Sequence, residues 1–304
     1  MANESKVILT ERKSSHLSHL AKALQSLKDL DDYSTKPDGV WGSVATISCG
    51  NVTLKSSELD FEFTIPFDNN LEANEGEIIV YNLSDNTIKQ LKNKASLSIV
   101  AGYEGDTGVI FKGYICKVST TYEGADKLTK IKIIDDIGEK QTINISKSGG
   151  VKASEILYEL LQKTGLPIGK FEIARDWTYE NGVTGDESLE AAIKKYSEVC
   201  GVSTLTSNGK IYCCSLDKIL DNLEFKVCED TGMIGSPAPF EEESNVEDYV
   251  DVVNGYEIEM ILQHRMSVGA KVRLDSLMYD GTYYVQSGEH TFNESECKTK
   301  IKVV

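Results

Sequence analysis

Apolar and polar residues alternate along Leu59-Asp60-Phe61-Glu62-Phe63-Thr64-Ile65, the period of a half-buried strand, and Pro66 is expected to stop it. Glu77–Asn82 (EIIVYN) reads as another strand, and more are predicted at Ser96–Ala101, Val109–Val118, Leu128–Asp135 and Thr142–Ser146. Among them, SDNTIKQLKNK at 84–94 predicts a short helix, with Ser84 or Asp85 as its cap and Ile88 and Leu91 as its inner face. The loop GYEGDTG at 102–108 lacks a following GK[ST] and leads into a strand rather than a helix, so it reads as a hairpin tip, not a phosphate cradle.

The period changes at Gly149-Gly150. SEILYELLQK at 154–163 sets Ile156, Leu157, Leu160 and Leu161 on one helical face, and Thr164-Gly165 and Pro167 punctuate its end. A second helix is expected to start at Asp186, with Leu189, Ala192, Ile193, Tyr196 and Cys200 in helical spacing and Gly201 closing it. Val202–Leu205, Asn208-Gly209 and Ile211–Ser215 then form a hairpin pattern. The remainder is β again. Glu224–Cys228 is a strand, followed by an irregular stretch with Pro237, Pro239 and the acidic run EEESNVED at 241–248. Tyr249–Leu262 is extended, with an interruption at Asn254-Gly255, and Lys271–Leu274, Thr282–Gln286 and Lys298–Val303 complete the set. In the last, Lys298, Lys300 and Lys302 alternate with Thr299, Ile301 and Val303.

Ahead of all this, Leu17, Leu20, Leu24 and Leu27 make one apolar stripe on a helix over 15–30, ended by Asp29, Asp31, Asp32 and KPDG at 36–39. Such a helix packs back on its own domain or docks on a partner chain. The expected fold class is α+β, mainly β: an N-terminal helical extension (1–40), a first β domain (41–148), an α/β insert (149–216) and a second β domain (217–304). No internal repeat is evident.

Composition narrows the function. With 40% hydrophobic and 26% charged residues the chain is globular rather than disordered. It has no 18-residue apolar run to span a membrane, and MANESKVILTERKSS at the start lacks a signal-peptide core, which points to residence in a cytosol. The formal charge is −16, without the clustered Lys and Arg that a nucleic-acid backbone or an anionic membrane surface requires. Cysteines 49, 116, 200, 213, 214, 228 and 297 form no CxxC, and the histidines at 16, 19, 264 and 290 form no HxH or HExxH, so neither a metal nor another cofactor is expected. The thiols read as reduced and buried, with Cys213 and Cys214 pointing to opposite faces of a strand.

Catalytic equipment is missing from the pattern. There is no GxSxG, Walker A or GxGxxG after a strand, and nothing singles out a nucleophile for His264 or His290. Acid pairs such as Asp135-Asp136, Glu242-Glu243 and Glu247-Asp248 are what 48 acidic residues produce by chance. The acidic run at 241–248 is a solvated loop or a docking surface for a basic partner. Tyr279, Tyr283 and Tyr284 around Asp280-Gly281 are core and rim packing, or else a sugar-stacking patch.

Two stretches carry a resemblance. Residues 77–115 pass from a strand into the turn YNLS, through a short helix, to a strand ending in AGY and another ending in FKGYI. Near the other end, Leu262-Gln263-His264-Arg265 leads to Val268-Gly269-Ala270-Lys271-Val272, Gly281-Thr282-Tyr283-Tyr284-Val285 and Gly288-Glu289-His290. Together these resemble the first and last domains of the baseplate hub proteins of contractile phage tails and phage-tail-like bacteriocins, and GDESLEAAIKKYSEVCGV at 185–202 suits the family's middle region. The resemblance spans most of residues 45–304 and leaves the helix of 15–30 outside. It implies two tube-like β-barrel domains in each chain and a homotrimer that joins a hexameric tail tube to a trimeric spike. Its partners would be the tube protein, the central spike protein and other baseplate proteins. The chain would be made in the bacterial cytoplasm and end in the baseplate of a phage tail or tail-like particle. It would not be an enzyme, since three modules use the whole length and leave no room for a fused lysozyme or peptidase. An acidic lumen that repels DNA would give the net charge a purpose. The rival readings are a distal-tail or tail-tip protein of a non-contractile phage and a cell-surface carbohydrate-binding module.

Overall fold

A computed structural model describes residues 42–69, 73–135, 141–207, 210–219, 223–246 and 249–304. The expected N-terminal helix, with Leu17, Leu20, Leu24 and Leu27, and the turn at Asn208-Gly209 lie outside the described residues. The first module holds β1 (Ser43–Cys49), β2 (Val52–Lys55), β3 (Phe61–Asp68), β4 (Glu75–Tyr81), α1 (Asp85–Gln90), β5 (Ser96–Tyr103), β6 (Asp106–Glu123) and β7 (Asp126–Ile134). The middle module holds β8 (Thr142–Lys147), β9 (Val151–Lys152), α2 (Ala153–Lys163), β10 (Ile168–Phe171), β11 (Thr178–Tyr179), β12 (Val183–Ser188), α3 (Leu189–Val199), β13 (Ser203–Ser207) and β14 (Lys210–Cys214). The last module holds β15 (Glu224–Val227), β16 (Met233–Val246), β17 (Tyr249–Ile261), β18 (Lys271–Asp275), β19 (Asp280–Phe292) and β20 (Cys297–Val303).

The fold is mainly β, as the alternation required. The two outer modules are not separate sheets, however. They share one 13-stranded sheet in the order β16-β17-β20-β19-β3-β4-β7-β6-β5-β1-β2, with β18 on β19 and β15 on β18. The seam is β3 against β19, antiparallel from Phe63↔Phe292 to Asp68↔Ser287. Among the described residues no sheet closes on itself into a barrel.

Pro66 does not stop β3, and the hydrogen-bond geometry shows why. Tyr81 N–H donates to the Asp60 carbonyl at 3.0 Å, so alternate residues from Asp60 aim their backbone groups at β4. Position 66 faces that side, but the β4 ladder has already ended at Thr64↔Glu77. The missing N–H therefore removes no bond. The stretch expected to be irregular around Pro237 and Pro239 is instead the edge strand β16. Its register shifts between Ile234 and Ala238, and an edge tolerates both prolines. Asn254-Gly255 does not interrupt β17 either. Gly255 lets the strands close up, because a Cβ there would stand 2.1 Å from the Val303 carbonyl oxygen and 2.9 Å from the Phe240 ring.

The middle module packs α2 and α3 over a small apolar core. Ile156, Leu157, Leu160, Leu161, Ala192, Ile193 and Tyr196 are buried together, as their spacing predicted. Helix α3 starts at Leu189 rather than Asp186. Ser188 caps it by accepting from Ala191 N–H, while Asp186 belongs to β12, which pairs with β8 from Val183↔Lys147 to Ser188↔Thr142. That pairing brings Ile143 and Ile145 into the middle module's core. Helix α1 is shorter than expected. Ser84 accepts from Thr87 N–H at 3.1 Å, and Leu91 leaves the helix with extended backbone to bury its side chain.

Candidate functional site

The seam between the outer modules is assembled from residues far apart in sequence. On its buried face Phe292 stacks on Phe63 with centroids 5.4 Å apart and tilts against Phe61 at 5.8 Å. Phe292 and Leu262 of the last module belong to the first module's apolar core, so the two halves share an interior. At its rim the β5–β6 hairpin tip, found where GYEGDTG predicted one, meets the segment after β17. Arg265 donates to both carboxylate oxygens of Asp106, at 2.7 and 3.2 Å. Tyr103 O–H donates to the Cys297 carbonyl at 2.6 Å. The His264 ring sits close against Gly108, where an added Cβ would fall 1.9 Å from Cδ2.

The two histidines of this region are structural. His290 is 2% exposed, with Nδ1 2.9 Å from Thr299 Oγ1, which also accepts from Gln263 N–H at 3.0 Å. Burial, and secondarily the neighbouring His264, push its pKa down to about 3, so the ring is neutral at pH 7. Burial also lowers the pKa of His264, helped by Arg265 and opposed by Asp106. Thr299 is itself completely buried and no substrate reaches the pair. Among the described residues no His, Cys, Asp and Glu cluster has the makings of a metal site. None of the seven cysteines is in a disulfide; Cys213 and Cys214 do diverge, into the middle core and into a smaller core with Leu205, Ile219 and Val268. Cys116 departs from the expected burial and is exposed. Tyr279 and Tyr283 are half-buried, packing on Tyr256 with centroids 4.6 and 5.3 Å apart and against the third core rather than forming an open platform. No helix among the described residues is long and apolar enough to cross a membrane.

The largest feature is the opposite, polar face of the shared sheet. Residues directly across a ladder point the same way, and one row runs Lys117, Lys132, Glu77, Thr64, Thr291, Lys298, Ile261, crossing seven strands and both outer modules. Its neighbours add Lys130, Lys300 and Lys302, and Glu62, Glu75, Glu257, Glu259, Glu289 and Asp68. Lys300 pairs with Glu257, Lys298 with Glu259 at 3.5 Å, and Lys130 with Glu77 at 3.9 Å. Positive and negative side chains are thus nearly equal in number on this face, and most of the chain's net −16 is carried elsewhere.

Comparison with known proteins places this platform in a family. The sequence family described as baseplate hub gp41 matches residues 69–291, more than half of the 304-residue chain. The chain belongs to the baseplate hub gp41 family. No curated protein matches it by sequence. Solved structures resemble it in fold. A tail protein from Neisseria meningitidis has a TM-score of 0.56 at 10% identity, over 86% of this chain and 96% of that one. The 43 kDa tail protein of prophage MuSo2 from Shewanella oneidensis has 0.55 at 8%, over 86% and 97%. The E. coli c3393 protein, a component of the type VI secretion system, has 0.54 at 9%, over 85% and 76%. At such identities the likeness is one of fold alone. This family member has a structural role in a phage-tail baseplate. The motifs at 77–115 and 262–290 carried the resemblance; Phe63, Asp106 and Arg265 each lay in a segment the sequence singled out, but their meeting at the seam had no local signature and was missed.

Proposed function

We propose that this hub is a trimeric adaptor between the tail tube and the central spike, held in place by further baseplate proteins. The observation that carries the reading is the seam. A chain that must offer two tube-like β domains to a sixfold ring has to hold them at a fixed angle, and the β3–β19 ladder with its shared apolar core makes the outer modules one body. In this reading the polar sheet face lines the channel. Its interspersed Lys and Glu, several of them ion-paired, make a surface of nearly balanced charge that adheres weakly, and net acidity contributes little there. The hub works mechanically, seating the spike and passing force when the sheath contracts, and it performs no catalysis.

The experiment is electron cryo-microscopy of the purified particle with the chain built into the map. Three copies between the tube and the spike are expected. Six copies, or a position at the tip of a non-contractile tail, would replace the adaptor by a distal-tail ring or tail-tip protein. Incubation with purified peptidoglycan should release nothing above a buffer control.

A further inference from the structure

The two outer modules repeat one strand topology, a repeat too faint to stand out in the sequence. Strands of the first pair in the order β3-β4-β7-β6-β5, and those of the last in the order β16-β17-β20-β19-β18. The registers correspond. Glu77↔Lys132 and Ile78↔Ile131 match Glu257↔Lys302 and Ile258↔Ile301, so Thr129-Lys130-Ile131-Lys132 is the counterpart of Thr299-Lys300-Ile301-Lys302. Strands β6 and β19 bulge at corresponding sites, between Ile115 and Lys117 and between Val285 and Ser287. The backbone there is bonded alike. Ile115 N–H donates to the Ala95 carbonyl at 3.0 Å and Lys94 N–H to the Ile115 carbonyl at 2.7 Å; Val285 N–H donates to the Ala270 carbonyl at 2.9 Å and Gly269 N–H to the Val285 carbonyl at 2.8 Å. Lys94 and Gly269 both have positive φ.

Beyond the bulge the two modules differ. Strand β19 gives its outer edge to β3 along Ser287–Phe292, and Phe292 is 5% exposed. The corresponding stretch of β6, Lys117–Tyr122, pairs with β7 alone among the described residues, and Tyr122, at the position of Phe292, is 74% exposed. Likewise β16, the counterpart of β3, pairs with β17 alone. The two kinds of edge that meet at the seam are therefore both present a second time, uncovered. Seven strand spacings of about 4.8 Å separate β6 from β16 along the sheet, and within one chain they do not meet.

We propose that the outer edge of β6 takes β16 of a second copy of this chain, repeating between subunits the ladder that β19 and β3 make within one. The repeat chooses the occupant: the strand that covers the β19 edge is β3, and β16 is the chain's other strand of that type. Head-to-tail contacts of this kind close into a ring, and the number of copies in it rests on the trimeric reading above. The seam fixes the register. Thr64 faces Glu77 as Ala238 faces Glu257, so Thr291↔Thr64 becomes Thr121 opposite Ala238 of the next copy. Tyr122 then meets the bulged segment that follows Ile234, itself an exposed apolar residue. Pro239, opposite Thr120, gives this ladder its carbonyl but no N–H, and on a bare edge it discourages pairing with unrelated chains.

The test uses particles purified from the producing cell, with Thr121→Cys/Ala238→Cys introduced into the full-length chain in a Cys116→Ser background. Partners in such a non-hydrogen-bonded pair stand about 4.5 Å apart at Cα, within disulfide range. Mild oxidation should link hub chains to one another in a series that stops at three. Val118→Cys/Ala238→Cys, about 10 Å out of register, should link none. In parallel, Tyr122→Asp should melt with the wild type, because the side chain lies in water, yet enter particles at a level lower by about tenfold or more. No link in the expected register, equal linking in the wrong one, or full incorporation of Tyr122→Asp overturns the pairing while leaving the hub reading intact. A series that runs on to six supports the pairing and overturns the trimeric reading. Absence of the wild-type chain from the particles overturns both.

Discussion

Gly108→Ala tests whether the seam is as tightly packed as it looks. Gly108 sits on β6 opposite Ala101, and the obstacle to a larger residue is space: a methyl group would lie 1.9, 2.6 and 2.8 Å from Cδ2, Nε2 and Cγ of His264. Carbon–carbon contacts are comfortable only beyond about 3.5 Å. Because Cγ is included, flipping the ring does not relieve the clash. The whole side chain, only 10% exposed, must move away and disturb the Arg265–Asp106 pair beside it. Overpacking of this kind costs about 1–3 kcal/mol. Replacing glycine restrains the unfolded chain and returns about 0.4–1 kcal/mol. The net loss is about 1–2 kcal/mol, which lowers Tm by roughly 2–6 °C. Scanning calorimetry of the wild type, Gly108→Ala, His264→Ala and the double variant measures it. If the ring is the obstacle, Gly108→Ala costs far less once His264 is gone. Equal costs in the two backgrounds, or no loss in the single variant, would refute the argument.

Phe292→Ala removes the ring that stacks on Phe63 and should cost about 3–5 kcal/mol; a denaturant transition that splits in two would show that it had joined the outer modules. The stability of the chain should fall as pH drops below about 6.5, because the unfolded state takes up the proton that buried His290, with its pKa near 3, refuses; the loss is about 2 kcal/mol by pH 5, and His290→Gln should flatten that slope in pH-dependent unfolding curves. Native-state alkylation followed by mass spectrometry should modify Cys116 first, slowly because burial and the nearby Glu75 hold its thiol pKa up, while Cys200 and Cys213, raised to about 12 and about 11 mainly by burial, react only after unfolding.

Sequence reading was most reliable where a structure obeys a local rule. Period-two alternation located β3, β4 and β20, and helical spacing located the buried faces of α2 and α3, because burying one face is a local demand. It failed where a partner strand decided the outcome. Pro66 looked like a terminator because proline breaks a ladder, yet the ladder on its side had already ended. Asp186 and Ser188 are both good caps, and the pairing of β12 with β8, a strand about forty residues away, decided between them. The pairing of Arg265 with Asp106 was hidden, since the two share neither segment nor module.

The β3–β19 ladder also sets the order in which this protein can be made. A ribosome releases β3 with one edge unpaired, and the strand that covers it is synthesised only after the entire middle module, roughly two hundred residues later. During that interval the half-finished platform carries an open strand edge and a hydrophobic interior still lacking Phe292, both of which invite pairing with the wrong chain. Closing so distant a contact is slow, and the compact middle module eases it by shortening the effective loop. Among tail proteins made at the same time, this chain therefore completes its shared sheet only when its last strands have folded back, and until then it stays exposed to mispairing.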